Sequence, residues 1–181
     1  METNLCVAGF GGQGVMTLGK FLADATCNST DKNVTFFPSY GAEQRGGTAN
    51  CYVVISDDDI GAPLGDSMDD LIVMNDPSLQ KFLYKLLPGG TLFINSSIVK
   101  SEITRTDIKV VSAPVTEMAL DMGSAKVLNI IMLGVYIGCT QVVSAEVVWD
   151  TIARKLGNKP ALLPLNRRAF EAGLQIGAAA R

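Results

Sequence analysis

The segment at residues 38–50 carries the side chains of this chain that are best suited to chemistry, and we call it the arginine loop. It is polar and rich in glycine, and it holds one carboxylate, Glu43, and one guanidinium, Arg45. Arg45 offers a planar set of donors that suits a carboxylate or a phosphate. Gly46 and Gly47 allow another chain or a ligand to approach the backbone closely. The simpler alternative is a surface loop in which Glu43 and Arg45 pair weakly in water.

A second glycine cluster, the glycine turn, lies near the N-terminus at residues 9–14. It follows a short apolar run and precedes a segment with helical periodicity, so the predicted order is strand, turn and helix. The spacing of its glycines satisfies G-x-G-x-x-G, and such a turn presents unpaired backbone N–H groups to an anion at a helix N-terminus. In the alternative, the glycines only permit a tight turn and close helix–strand packing. The candidate anion-binding residues are Gly9, Gly11, Gly12, Gln13 and Gly14.

The surroundings of the glycine turn argue against a dinucleotide site. Such a site also needs an acidic residue about 20 positions further on, at the end of the second strand, to hold the ribose. The second strand is predicted at residues 34–37 and is followed by Pro38 and Ser39, with no carboxylate there. A stand-alone, Rossmann-like protein that binds NAD or a related nucleotide is therefore the weaker alternative.

Together the two segments resemble a known family. The sequence GFGGQG at residues 9–14, followed by PSYGAEQRGGTANCYVVIS at residues 38–56, is similar to the gamma subunit of 2-oxoacid:ferredoxin oxidoreductases, and most similar to the 2-oxoglutarate branch. Gln44 departs from the family pattern, which usually has a hydrophobic residue or methionine before the arginine, and this leaves the particular 2-oxoacid open. The similarity covers essentially the whole chain and continues at residues 74–79, 88–92, 95–97, 165–166 and 169–173.

The resemblance implies an enzyme that decarboxylates a 2-oxoacid, transfers the acyl group to coenzyme A and passes two electrons to ferredoxin. Thiamine diphosphate and iron–sulfur clusters would lie on partner subunits (alpha, beta and a ferredoxin-like delta), and the isolated chain would be inactive. This chain would complete the wall of the active-site cavity without a catalytic residue of its own. A purely structural subunit, whose loop only docks on the catalytic chains, is a further alternative. The residues that would face substrate, coenzyme or a partner are Ser39, Tyr40, Gly41, Glu43, Gln44, Arg45, Gly46, Gly47 and Thr48.

The composition agrees with a subunit of this kind. The 181-residue chain has a net charge of −3, a pI near 4.9 and no long basic run, which argues against nucleic acid or an anionic membrane as a partner. Apolar residues make up 48% and charged residues 18%, which fits either a large core or an apolar surface covered by another subunit. A spare apolar face would favour a homodimer when the partners are absent.

The residue types that most often bind metals or act as general bases form no cluster in the sequence. Histidine is absent, which removes the commonest general base and transition-metal ligand. The cysteines form no C-x-x-C pair, so neither a zinc nor a cluster site is predicted. Three adjacent carboxylates at residues 57–59 lack further ligands at calcium spacing and predict a solvated turn. Free thiols and the lack of a signal peptide predict a cytoplasmic protein. Burial is predicted for Cys6, Cys51 and Cys139, the fourth cysteine being Cys27.

Strand-like and helix-like segments alternate along the chain. The pattern predicts a three-layer α/β/α sandwich around a mostly parallel sheet, with a helical C-terminal part and a single domain over residues 1–181. Strands are expected at residues 5–8, 34–37, 50–56, 71–74, 91–94 and 108–111. A helix capped near Asn75 should bury Leu79, Phe82, Leu83 and Leu86 before residues 88–90 break it. The apolar segment at residues 127–139 is too short for a membrane span and predicts a core helix, in which Gly134 and Gly138 permit close packing.

Overall fold

The computed structural model describes residues 1–39, 48–62 and 65–181, and it alternates strands and helices as the sequence predicts. Short 3-10 helices precede β5, α4 and α6. The elements in chain order are β1 (Glu2–Phe10), α1 (Val15–Ser29), β2 (Asn33–Ser39), β3 (Thr48–Ser56), β4 (Met68–Val73), α2 (Asp76–Phe82), β5 (Leu86–Asn95), β6 (Lys109–Ala113), α3 (Val115–Asp121), α4 (Leu128–Thr140), α5 (Ala145–Lys155) and α6 (Leu163–Ala179).

The six strands form one sheet in the order β2-β3-β1-β4-β5-β6. The strands β1, β4, β5 and β6 pair in parallel. Strand β3 is antiparallel to both of its neighbours, β1 and β2, so that β2 runs in the same direction as β1. Among the described strands only β3 runs against the rest, and the predicted mostly parallel sheet is confirmed.

Both faces of the sheet are covered by helices, but unequally. Along β1, Leu5 and Val7 face one apolar cluster, and Cys6 and Ala8 face the other, because successive side chains of a strand point to opposite faces. Helices α1 and α3 to α6 contribute to the first cluster, and α2 contributes to the second. The predicted three layers are therefore confirmed, with the C-terminal helices gathered on one face.

Helices α4 and α6 pack through glycines on both sides of their contact. Gly134 and Gly138 lie against α6, and a Cβ at either position would overlap a backbone carbonyl oxygen of that helix. The predicted close approach is confirmed. On the other side of the contact, Gly173 and Gly177 of α6 lie against α4, and a Cβ at either position would overlap a carbonyl oxygen of α4. Because α4 is buried between the sheet and α6, the helical face is two layers deep at this point.

The end of α2 corrects one prediction. Helix α2 stops at Phe82, a 3-10 turn follows at Leu83–Lys85, and Leu86 opens β5 instead of continuing the helix. The predicted break at residues 88–90 therefore falls inside a strand. The reason is tertiary, since Leu86 pairs with Met68 of β4 and the pairing of the two strands is irregular only after that point.

The described cysteines are free thiols in different surroundings. Cys6 and Cys51 are buried, as predicted, whereas Cys139 is only half-buried, since it lies at the last turn of α4, and Cys27 is exposed. Burial raises the pKa of the Cys51 thiol to about 12. Within the described ranges, no helix has both the length and the apolar character that crossing a membrane requires.

Candidate functional site

The glycine turn lies beside two neighbouring strands whose following helices pack on opposite faces of the sheet. Strand β1 is followed by α1 on one face, and the neighbouring parallel strand β4 is followed by α2 on the other face. When adjacent parallel strands send their following helices to opposite faces, a crevice opens at their carboxyl ends, and α/β proteins bind ligands there. The glycine turn, at residues 9–14, directly follows β1 and therefore lies at this switch point.

The tip of the glycine turn faces open space. Gly12 and Gly14 have φ angles of 90° and 72°, a left-handed conformation that favours glycine. A Cβ on Gly11 or Gly12 would meet no atom within 4 Å. Within the described chain, the N–H groups of Gly11 and Gly12 have no hydrogen-bond partner. The turn thus has the free amides that an anion would need, while its binding of an anion stays a prediction.

The Gln13 side chain fills the inside of the same turn. Its Oε1 accepts from the Phe10 N–H at 2.7 Å and from Asn75 Nδ2 at 3.4 Å. Its Nε2 donates to the Met74 carbonyl oxygen at 3.2 Å. A Cβ on Gly9 would lie 2.7 Å from Gln13 Oε1, so the small residue at position 9 makes room for the glutamine. The part of Gln13 in an anion-binding turn stays a prediction, and its side-chain amide is hydrogen-bonded to Phe10, Met74 and Asn75.

Two further amide side chains lie at the ends of β4 and β5. Asn75 Oδ1 accepts from the Ser78 N–H at 2.9 Å and caps α2. Asn95 Nδ2 donates to Thr116 Oγ1 at 2.9 Å and to the Met74 carbonyl oxygen at 3.4 Å. Both asparagines are fully buried. Sequence reasoning did not assign Asn95 to this crevice, although its position directly after a buried parallel strand was a usable signal.

The glycine turn is also held from the helical layer. Asn129 Nδ2 donates to the Gly14 carbonyl oxygen at 3.3 Å. A Cβ on Gly14 would meet the Asn129 side chain at 2.5 Å, so glycine is required here for contact as well as for its backbone angle. Asn129 is the polar residue that interrupts the apolar segment of α4, and the structure explains its presence by this contact.

Asp76 is a carboxylate near the crevice, at the start of α2. It accepts from the Ser101 N–H at 3.0 Å and from the Lys100 N–H at 3.1 Å. Hydrogen bonds from the Ser101 side chain and from the two backbone amides hold the pKa of Asp76 below its ordinary value. The carboxylate is therefore ionised at neutral pH and already used to fix the segment that follows β5.

The two described ends of the arginine loop lie at the same end of the sheet as the glycine turn. Ser39 is the last residue of β2 and Thr48 the first residue of β3. Thr48 pairs with Phe10, the residue that precedes the tip of the glycine turn. The two segments therefore adjoin the same end of the sheet, at the carboxyl end of β1. The other candidates of the loop lie outside the described residues: Tyr40, Gly41, Glu43, Gln44, Arg45, Gly46 and Gly47.

A cavity of about 570 Å³ lies at the opposite, amino end of the parallel strands. One of its walls includes Asp70, which is 7% exposed and accepts from the Tyr136 hydroxyl at 3.0 Å. Burial raises the pKa of Asp70 to about 6, and burial together with the Asp70 charge raises the pKa of Tyr136. Sequence reasoning missed this pair because its members are 66 positions apart.

The fold and the crevice define an α/β protein with a glycine turn at a topological switch point. The family described as pyruvate ferredoxin/flavodoxin oxidoreductase matches residues 4–176. The chain therefore belongs to the pyruvate ferredoxin/flavodoxin oxidoreductase family. The predicted resemblance to gamma subunits of 2-oxoacid:ferredoxin oxidoreductases is confirmed by the relatives that follow.

Two curated relatives differ in length. The chain is 35% identical over 176 residues to ketoisovalerate oxidoreductase subunit VorA of Methanothermobacter thermautotrophicus, covering 96% of this chain and 36% of VorA. It is 32% identical over 182 residues to 2-oxoglutarate synthase subunit KorC of Methanothermobacter marburgensis, covering 97% of each chain. The chain thus spans about a third of the length of VorA and nearly all of KorC.

A solved structure shares the fold over its full length. The keto/oxoacid ferredoxin oxidoreductase gamma subunit of Geobacter sulfurreducens superposes with a TM-score of 0.89 at 28% identity. The superposition covers 99% of this chain and 98% of that subunit. The arrangement of strands and helices described above is therefore that of a separate gamma subunit.

Proposed function

We propose that this chain is the gamma subunit of a thiamine-dependent 2-oxoacid:ferredoxin oxidoreductase and completes the wall of its active-site cavity where coenzyme A enters. The observation that carries this proposal is that the described end of the arginine loop lies beside the start of the glycine turn, at the carboxyl end of β1. Thr48 of the arginine loop pairs with Phe10 beside the glycine turn. A single ligand bound there is therefore proposed to contact both segments, and the family membership supports a ligand of this enzyme class.

The individual residues have separate roles in this proposal. Arg45, oriented by Glu43, meets a substrate carboxylate or a coenzyme phosphate, for which a guanidinium is well suited. The free N–H groups of Gly11 and Gly12 meet an anionic group of the coenzyme, supported by the dipole of the 15-residue helix α1. Hydroxyl groups of Ser39, Tyr40 and Thr48 complete the wall. No group of this chain performs the chemical step.

The reaction is the oxidative decarboxylation of the 2-oxoacid to its acyl-coenzyme A, with two electrons passed to ferredoxin. Alpha and beta subunits, and a ferredoxin-like delta subunit, carry the thiamine diphosphate and the iron–sulfur clusters. The length of VorA supports this division, because about two thirds of that polypeptide lies outside the part that this chain matches. The complex is cytoplasmic, and the chain acts as one domain within it.

The substrate is 2-oxoglutarate in this proposal. The arginine loop most resembles that branch, and the full-length relative KorC is named for 2-oxoglutarate. VorA, which is named for ketoisovalerate, is slightly more similar in sequence. Ketoisovalerate is therefore the competing substrate, and the ratio of kcat/KM for the two acids separates them.

The test begins with recovery of the tagged chain from its own cells under anaerobic conditions. Mass spectrometry identifies the co-purifying subunits, and reduction of a viologen dye measures activity with 2-oxoglutarate or ketoisovalerate and coenzyme A. The proposal expects thiamine- and cluster-bearing partners and coenzyme-dependent activity. A chain without partners that binds NAD would overturn it in favour of a nucleotide-binding protein.

The role of the arginine loop is tested by Arg45→Ala in the assembled complex. Loss of one charge-assisted contact should raise the KM for coenzyme A or for the 2-oxoacid about tenfold. Arg168→Ala, an exposed arginine on α6, is the matched control and should change neither value. An assembled Arg45→Ala complex with unchanged KM values would contradict the cavity-wall role. Weakened assembly with unchanged kinetics would instead identify a purely structural subunit.

A further inference from the structure

The Gln13 side chain determines how the glycine turn closes. Its Oε1 accepts from the Phe10 N–H at 2.7 Å, and the backbone N–H of Gln13 donates to the Phe10 carbonyl oxygen at 3.2 Å. Phe10 and Gln13 therefore bond twice, once through the backbone and once through the side chain. Gly11 and Gly12, which lie between them, form the exposed tip of the turn. The double closure therefore restricts the backbone of the tip between them.

The other end of the same amide ties the turn to the sheet. Gln13 Nε2 donates a hydrogen bond to the Met74 carbonyl oxygen. The same oxygen also accepts a hydrogen bond from Asn95 Nδ2. Asn75 Nδ2 donates to Gln13 Oε1 from the start of α2. One side chain thus links the carboxyl ends of β1 and β4, through an acceptor that is shared with β5. Asn75 and Asn95 are fully buried and Gln13 is half-buried, and amide groups in such a network hold one geometry because an unmade hydrogen bond away from water is costly.

The chemistry of these contacts requires glutamine. An amide supplies an acceptor for Phe10 and a donor for Met74 at the same time. Glutamate of the same shape keeps the acceptor but places a second carboxylate oxygen against the Met74 carbonyl oxygen. Alanine removes both contacts and leaves the Phe10 N–H without its partner. These two substitutions therefore separate loss of the contacts from a change of charge.

We propose that Gln13 is a positioning residue that holds the glycine turn in the conformation in which the Gly11 and Gly12 amides face the coenzyme. This inference rests on the proposed function of the turn as part of the coenzyme-binding wall. Gln13 itself does not contact the coenzyme, because its amide is bonded to Phe10, Met74 and Asn75. Its effect on catalysis is therefore indirect and specific to one of the two substrates.

The experiment uses the assembled complex with Gln13→Ala, Gln13→Glu or Gln80→Ala. Gln80 is an exposed glutamine on α2 and serves as the matched control. Hydrogen exchange of the backbone amide at position 13, which donates to the Phe10 carbonyl oxygen, reports closure of the turn. Steady-state kinetics give separate KM values for coenzyme A and the 2-oxoacid. We expect Gln13→Ala to speed exchange in the turn and to raise the KM for coenzyme A about tenfold. The KM for the 2-oxoacid should stay within about twofold.

The Gln13→Glu variant carries the test if the alanine variant does not assemble. Its added charge near the coenzyme should raise the KM for coenzyme A at least as much as the alanine substitution does. Unchanged exchange of the amide at position 13 in both variants would overturn the positioning role. Faster exchange with an unchanged KM for coenzyme A would also overturn it, but would leave the proposed function standing if Arg45→Ala still raises a KM. If Arg45→Ala has no kinetic effect either, the proposed cavity wall itself is wrong.

Discussion

Replacing Asp70 with asparagine is expected to stabilise the purified chain at pH 8 and to change it little at pH 4. Asp70 is 7% exposed, and its carboxyl accepts a hydrogen bond from the Tyr136 hydroxyl at 3.0 Å. Burial raises its pKa from 3.8 to about 6, although the Tyr136 hydrogen bond acts in the opposite direction. The ionised form is thus less stable in the folded chain than in the unfolded one. Asparagine keeps an oxygen that accepts from Tyr136 and carries no charge.

The size of the effect follows from the pKa difference. A shift of about two pK units corresponds to about 3 kcal/mol, at about 1.4 kcal/mol for each unit. Because the folded pKa is the higher one, the folded chain binds the proton more tightly, and stability falls as the pH rises from about 4 through 6. The advantage of Asp70→Asn should grow from under about 1 kcal/mol near pH 4 to about 3 kcal/mol at pH 8.

Urea denaturation at a series of pH values measures this difference. Trp149, the single tryptophan, stacks on the buried Phe170 with a centroid distance of 6.2 Å, so its fluorescence should report loss of tertiary packing. Asp150→Asn, at an exposed position on α5, is the matched control and should give a difference that does not change with pH. If the stability curves of Asp70→Asn and the unmodified chain ran parallel from pH 4 to pH 8, the inferred cost of the buried charge would be refuted.

Three further substitutions test the packing and the crevice by the same unfolding measurement. Gly173→Ala should lower the free energy of unfolding by about 2 kcal/mol or more, because the new Cβ would overlap the Ile131 carbonyl oxygen. Alanine alone would favour the helix, so a stabilised variant would contradict the close contact. Asn95→Asp should cost about 3 kcal/mol at pH 7 by burying an uncompensated charge, and a smaller loss in acid is expected. Asn75→Ala should cost about 1 kcal/mol because the Ser78 N–H loses its cap; an unchanged midpoint would show that the cap adds nothing.

Predictions that depend on local pattern were accurate. Apolar runs bounded by glycine, proline or asparagine marked the strands, and the cap at Asn75 marked the start of α2. The end of that helix was wrong, because Leu86 satisfies a helical spacing and a strand pairing equally well. The choice between them depends on β4, which no local pattern around Leu86 reveals. The predicted role of the arginine loop stays a prediction, since residues 40–47 lie outside the described chain.

The sequence by itself determined the family, through two glycine-rich segments, and the alternation of strands and helices, through side-chain periodicity. Only the tertiary structure decided which distant residues meet. Gln13 reaches the Met74 carbonyl oxygen across 61 positions, and Asp70 meets Tyr136 across 66. The physical reason is that periodicity records which side of an element is buried, whereas such contacts depend on the order of strands in the sheet and on the helix that covers them. That order results from the packing of all the elements together.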